Sequence, residues 1–376
     1  MGRYVDRLSA DIAACRAAVA EHGGEIPDVV DTIYLGGGTP SLLPVAELGR
    51  LFSAIRAEFK VVPKAEATVE CAPGTLSEAV IEGLAQCGVN RVSLGVQSFN
   101  DQEAASVARL HTREKILSDM EHLRAAGIAN INVDLIAGLP HQTEESWLDS
   151  VEQAIASGAP HVSVYMLEVD DDSRLGREVM AGGTRYHAHF VPDDDATAGF
   201  YETAIARLNG AGIAQYEISN FARPGFESLH NLRYWLRRPY LGFGVDAHSM
   251  LPATDSSKEK GADCVRLAAT DSYDGFFVAQ GLTSAIVGQE EALEESFFLG
   301  LRLNRGVDID DLRRKFEARI TKYDPVIDEM VAVGMLAREG TTVRLTPSGR
   351  LLSNEVFEKF ILTDASREPA LTAVPL

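Results

Sequence analysis

From Thr32 onward, short apolar, β-branched runs alternate with longer stretches whose apolar residues recur at helical spacing. That order predicts parallel strands joined by helical crossovers. The expected strands are Thr32 to Gly36, Ala67 to Cys71, Arg91 to Val96, Asn132 to Ile136 and His161 to Leu167. The first is followed by a helical pattern carrying Val45, Leu48, Leu51, Phe52, Ile55 and Phe59, and the second by one from Ser77 to Cys87. A third pattern, with Trp147, Val151 and Ile155, follows Gly-Leu-Pro. Runs such as INVDLIAG and HVSVYML read as nearly continuous apolar strands, which predicts burial on both faces. Before this series, an amphipathic helix containing Asp6 and Asp11 is expected at the N-terminus.

Beyond the fifth strand the pattern loosens. Residues 170 to 192 are polar and glycine-containing, a helix is expected to start at the acidic run PDDD, and 252 to 264 reads as irregular. From about residue 286 the order becomes helix, short helix, helix, a hairpin-like LAREGTTVRLTP and a last helix through Phe360. The expected architecture is therefore α/β, with residues 1 to 285 forming the parallel domain and residues 286 to 376 a small winged-helix-like domain.

Composition narrows the functional classes. Thirty-five basic against 55 acidic residues give a net charge of −20, which repels phosphate backbones and anionic lipid surfaces. The winged-helix-like part is itself acidic, with 14 acidic and 11 basic residues between Glu290 and Lys359, so it lacks a DNA-binding footprint. No apolar run long enough to span a bilayer and no signal-peptide pattern occurs, so the expected location is cytoplasmic. The four cysteines, Cys15, Cys71, Cys87 and Cys264, have no metal-knuckle spacing. Cys87 continues the helical stripe of Leu76, Val80 and Leu84 and reads as a core thiol.

In a parallel α/β fold the ligand lies at the C-terminal ends of the strands, so polar residues there are the candidates for chemistry. GGGTPS, Gly36 to Ser41, follows the first strand. Glu70 closes the second, Gln97 the third, and Asp134 is embedded in the fourth between Val133 and Leu135. A carboxylate inside a strand is costly unless paired or facing a functional cavity. Several polar groups at successive strand ends describe a binding mouth. Spacing alone does not name its ligand, and no residue is singled out as catalytic.

The ordered motifs YLGGGTPSLL, GVQSFND, NVDLIAGLPHQT, YEISNFARPG, HNLRYW and YLGFGVDAHS resemble those of the radical-SAM family of HemW-type haem chaperones. The oxygen-independent coproporphyrinogen III oxidases share a looser version. The resemblance runs from about residue 4 to 361 and implies a partial (β/α) barrel. It also implies an S-adenosylmethionine site formed by Gly37, Gly38, Thr39, Glu70, Gln97, Arg109, Asp134 and His248. HNLRYW points to the chaperone branch and implies haem binding by His230, Asn231, Tyr234 and Trp235, with His230 as axial ligand and the two aromatic rings against the porphyrin.

Haem would then be cargo for haem-requiring enzymes, with a homodimer as a further expectation. The alternative is an enzyme of porphyrin biosynthesis that decarboxylates propionate side chains through a substrate radical.

The sequence departs from this family at one point. Relatives carry a C-x-x-x-C-x-x-C motif after a first strand, and its thiolates hold a [4Fe–4S] cluster; these residues contain no such motif. MGRYVDRL resembles the helix that follows that loop. The expectation is that the first strand and cluster loop lie upstream in a longer reading frame. Without them the barrel is incomplete, no adenosyl radical is expected from this chain alone, and a sheet edge should be exposed near Tyr34.

Overall fold

A computed structural model describes residues 1–167, 190–278 and 281–362. The polar stretch expected from 170 lies almost wholly outside them. The chain forms two compact units, one of residues 32–48 and 66–228, the other of residues 1–31, 49–65 and 229–376.

The first unit is built on a seven-stranded sheet. Its strands are β1 (Val29–Leu35), β2 (Lys60–Cys71), β3 (Arg91–Gln97), β4 (Asn130–Ala137), β5 (His161–Met166), β6 (Ala214–Gln215) and β7 (Asn220–Ala222), in the spatial order β1-β2-β3-β4-β5-β7-β6. Strands β2 to β5 pair in parallel, whereas β7 pairs antiparallel with β5 and β6. The expected α/β fold with a mainly parallel sheet is thus present, and all five expected strands form, several of them longer. β1 is the terminal strand among the described residues, which places the sheet edge at Tyr34.

Helix α2 (Val45–Glu58) joins β1 to β2, and the later helices of this unit begin where their sequence supplies a cap. In α3 (Glu78–Gln86) the Ser77 hydroxyl accepts from Val80 N–H, and in α5 (Arg113–Ala125) Thr112 accepts from Lys115 N–H. Thr143 and Ser146 form a reciprocal capping box at α6 (Glu144–Ala156). The shorter α4 (Asp101–Ser106) is capped by Asn100, and α7 (Asp194–Gly210), the helix expected at PDDD, by Asp193.

The strands are buried on both faces as expected, but the two faces are unlike: one is apolar and the other is polar. Val69, Val92, Leu94, Val96, Ile131, Val133, Leu135, Val162 and Val164 form a water-free apolar face. Leu84, Met120, Leu123, Trp147 and Val151 supply buried apolar side chains from α3, α5 and α6. The alternate positions carry Thr68, Glu70, Ser93, Asn132, Asp134, His161 and Ser163. Polar and apolar residues therefore alternate with the period-two pattern of a strand with two unlike faces.

The second unit includes α1 (Gly2–Glu21), whose buried stripe is Val5, Leu8, Ile12, Cys15 and Val19. It also holds the short helix α8 (Leu229–Trp235) and an antiparallel sheet in the order β10-β9-β8. Its strands are β8 (His248–Pro252), β9 (Ala262–Ala268) and β10 (Thr283–Gly288). Residues 252–264, expected to be irregular, instead contain the end of β8, a single helical turn and the start of β9. In ADCVRLA every residue but Asp263 is buried, and Arg266 is accommodated there by its ion pair with Glu295 at 2.8 Å.

The C-terminal part follows the expected order. Helices α9 (Gln289–Gly300), α10 (Ile309–Phe316) and α11 (Asp324–Ala332) precede the hairpin β12 (Leu336–Glu339) and β13 (Thr342–Leu345). The two-residue β11 (Val307–Asp308) completes a small antiparallel sheet. The expected last helix forms as two short pieces, Pro347–Leu351 and Ser353–Glu358. Phe297, Tyr323 and Phe360 are fully buried and stack with one another, the Phe297 and Phe360 ring centres 4.6 Å apart.

Candidate functional site

At the C-terminal end of β1 the chain turns through Gly36, Gly37 and Gly38. The Glu70 carboxylate on β2 fastens this turn, accepting from the Tyr34 hydroxyl (2.7 Å) and from Gly37 N–H (3.1 Å). Burial and the adjacent Glu70 charge push the Tyr34 phenol well above its usual value, so it remains protonated and able to donate. A side chain at residue 36 would meet Tyr34 Cε1 at 2.7 Å and Glu70 Oε1 at 2.9 Å, which explains the first glycine. Gly37 and Gly38 have φ of +77° and +66° and open space where a Cβ would stand. Backbone there is exposed and can be approached closely. Thr39 follows directly.

Gln97 ends β3 at a break in the register with β4 and has φ +66°, a left-handed conformation unusual for a residue with a side chain. The segment behind it is tied down. Ser98 Oγ donates to Glu103 (2.6 Å), and Gln142 accepts from Gly138 N–H (2.6 Å) while donating to the Ile136 carbonyl (3.1 Å). Half-buried Arg109 lies in the turn after α4, its N–H bonded to Ala104 O (2.9 Å).

Asp134 sits within a line of polar side chains crossing the sheet. Its carboxylate accepts from Ser93 Oγ (3.0 Å) and Asn132 Nδ2 (2.7 Å). The Asn132 carbonyl oxygen faces His161 Nδ1 (2.6 Å), His161 Nε2 faces Tyr216 Oη (3.0 Å), and Tyr216 Oη accepts from Ser228 N–H (3.2 Å). Ser163 extends the line to Asn220 (2.8 Å), which donates to Glu217. Strand register makes this possible, since Ser93 lies opposite Asn132, Asn132 opposite His161, and Asp134 opposite Ser163. Burial raises the Asp134 pKa to about 6; hydrogen bonds from Ser163 and Ser93 oppose the rise, and the Glu70 charge adds to it. Burial also holds His161 well below its usual range, hence neutral.

Gly37, Gly38, Thr39, Glu70, Gln97, Arg109 and Asp134 therefore all lie in the sheet-bearing unit: the first three in the turn after β1, Glu70 and Gln97 at the ends of β2 and β3, Asp134 within β4, and Arg109 in the turn after α4. His248 does not. It opens β8 in the other unit, its Nε2 3.7 Å from Asp246 Oδ1, and Asp246 has φ +58°. Gly242 passes so close that a Cβ there would stand 2.3 Å from the His248 carbonyl oxygen. Tyr34, Ser93, Asn132, His161, Ser163 and Tyr216 are site residues missing from the sequence expectation. The signal for Asn132, His161 and Ser163 was the alternation in NINVD and HVSVY.

The HNLRYW segment forms α8. His230 Nε2 lies 2.9 Å from Tyr234 Oη one turn on, the rings meeting edge to face at 5.2 Å and 89°. Burial, helped by the Arg233 charge and opposed by Asp31, lowers the His230 pKa to about 4. Tyr234 in turn packs edge to face on Tyr240 (4.7 Å, 77°). Arg233 is pinned by Asp31 Oδ1 (2.8 Å) and the Pro239 carbonyl (3.2 Å). Asn231 is half-buried on the same helix. Trp235 is only 7% exposed and packs with Leu299 and Leu303 under the Arg302 guanidinium, so its ring faces the core of its unit. As folded, that face is already occupied.

Among the described residues no group of three or more His, Cys, Asp or Glu could hold a metal ion, and all four cysteines are buried. Burial raises the thiols of Cys15, Cys71 and Cys264 to about 11, 12 and 11, the opposite of a thiolate ligand. These residues do not fit an iron–sulfur cluster, and no step is derived through one.

A mainly parallel sheet with a glycine turn and carboxylates at its strand ends defines the radical-SAM class, and residues 9–154 match the Radical SAM superfamily. Residues 287–352 match the HemN C-terminal domain. Heme chaperone HemW of Lactococcus lactis is 36% identical over 89% of this chain and 85% of its own length. The HemW proteins of Bacillus subtilis and Escherichia coli are 34% and 31% identical over 89% and 88% of this chain, and 86% and 84% of theirs. The chain belongs to the HemW family. The fold is also that of the radical-SAM coproporphyrinogen III oxidase HemN of Escherichia coli, with a TM-score of 0.77, 22% identity and coverage of 95% of this chain and 82% of that one.

Proposed function

We propose that this protein is a HemW-like haem chaperone, which binds haem through His230 and passes it to haem-requiring enzymes in the cytoplasm. The observation that carries the reading is the HNLRYW helix α8, which sets His230 beside Tyr234 in a chain of the HemW family. A metal-binding imidazole must be neutral, and burial lowers the His230 pKa to about 4, which favours that form. Membership of the HemW family supports the same reading. Among the described residues no helix is long and apolar enough to cross a membrane.

The strand-end site is assigned to S-adenosylmethionine. Its residues fit such a ligand: the open backbone at Gly37, Gly38 and Thr39 admits close approach. Arg109 suits a carboxylate, Glu70 and Asp134 an amino group or ribose hydroxyls, and Gln97 a polar edge. His248 belongs to the other unit, and its contact with the adenosyl group rests on family resemblance alone. Cluster ligation is assigned to none of the residues in this sequence. Identity of 31–36% to HemW proteins over 84–86% of their length supports the chaperone reading over the oxidase alternative, which has only a likeness of fold at 22% identity.

Haem titration tests the proposal. The protein should develop a ligated-haem Soret band, and His230→Ala should abolish it while leaving the far-ultraviolet circular dichroism unchanged. Equal haem binding by both proteins would sink the assignment of His230.

A further inference from the structure

Tyr234 holds the nitrogen that an incoming metal would need. Iron bonds to an imidazole along the in-plane lone pair at roughly the 2 Å typical of metal–imidazole bonds. The Tyr234 oxygen stands 2.9 Å from His230 Nε2, within hydrogen-bonding reach of that same position. The two occupants exclude each other. The other ring nitrogen, Nδ1, adjoins the carbon that bears the Cβ. Iron there would press a flat macrocycle against the helix backbone, so a porphyrin-bound metal favours Nε2.

Nor is Tyr234 a loose side chain that happens to lie nearby. Its ring is held edge to face by Tyr240 at 4.7 Å and lies beside Trp235 at 6.4 Å, within the apolar group of Leu232, Leu236 and Phe298. The helix under it is tethered through Arg233 to Asp31 and Pro239.

The geometry points to Tyr234 as a gate on haem capture: its hydroxyl occupies His230 Nε2 in the empty protein and is exchanged for iron when haem arrives. No covalent or redox change is involved; one hydrogen bond is given up for one coordinate bond. The inference rests on the reading of His230 as haem ligand. It inverts the simpler expectation that Tyr234 only adds affinity by offering its ring to the porphyrin.

The test is hemin titration and stopped-flow association with the full chain, comparing wild type, Tyr234→Phe, Tyr234→Leu and His230→Ala. Removing only the hydroxyl should strengthen binding about 3- to 10-fold, the range set by one net hydrogen bond, mostly through faster association. Tyr234→Leu should also associate faster but lose any contribution of the ring, so its dissociation is faster than that of Tyr234→Phe. Unchanged or weaker binding by Tyr234→Phe would overturn the gate while leaving His230 as ligand. Wild-type protein that binds no haem, or His230→Ala that binds equally, would overturn the haem reading and the gate with it. Matching thermal transitions for Tyr234→Phe and wild type establish that the difference is local.

Discussion

Asp134 has the most informative titration among the residues of the strand-end site. It bears a carboxyl raised to about 6 by burial, with Ser163, Ser93, Glu70 and Asn132 modulating it. A cationic ligand such as S-adenosylmethionine prefers the ionised form, so affinity should climb as pH rises through about 6 and level off above it. Calorimetric titration between pH 5 and 8 checks this. Asp134→Asn should bind more weakly above pH 7 and lose the slope; an unaltered slope would move the titrating group elsewhere. Nothing in the sequence forecast the raised value, because it depends on which side chains the strand register places beside Asp134. Its strand position was readable, and its neighbours from β3 and β5 were not.

At the scale of elements, the glycine turn after β1 is held by one carboxylate, and Gly36 is fitted against it. Gly36→Ala would force a methyl against Tyr34 and Glu70, with an expected loss of about 1 to 3 kcal/mol in chemical denaturation. Gly37→Ala meets open space and should cost only about 1 kcal/mol, from its left-handed backbone. If the two variants were equally stable, the tight fit at residue 36 would be wrong. The strands around this turn were legible from β-branched runs, and the helices from their caps and apolar stripes. Two features were not. Counting Asn132, Ser93, Ser163 and His161 as parts of apolar runs concealed the polar face, although the alternation was present. The sheet of β8, β9 and β10 was concealed because Arg237 and Arg266 pair with Glu295 inside their unit, so charged residues occur where a buried strand pattern is not expected.

For the whole molecule, each unit holds a histidine whose neutral form the fold favours: His161 on β5 and His230 on α8. Both folded-state pKa values lie below that of an unfolded histidine. The unfolded chain therefore takes up more protons as pH falls below about 6.5, and stability is lost on acidification through that window. Denaturation at pH 7.5 and 5 should show lower stability at pH 5, and the double variant His161→Gln, His230→Gln should reduce that difference, leaving the part that buried His111 contributes.

The line of side chains through His161 also has a direction. An ionised Asp134 can only accept, which turns the Asn132 amide so that its nitrogen points to the carboxylate and its oxygen to His161. His161 must then carry its hydrogen on Nδ1, and the Tyr216 hydroxyl must donate to Nε2. Donation consequently runs one way, from β6 toward β4. The tautomer of His161 is thus a remote reporter of the charge on Asp134, and its ring-nitrogen resonances should sense whether the strand-end site holds a cation.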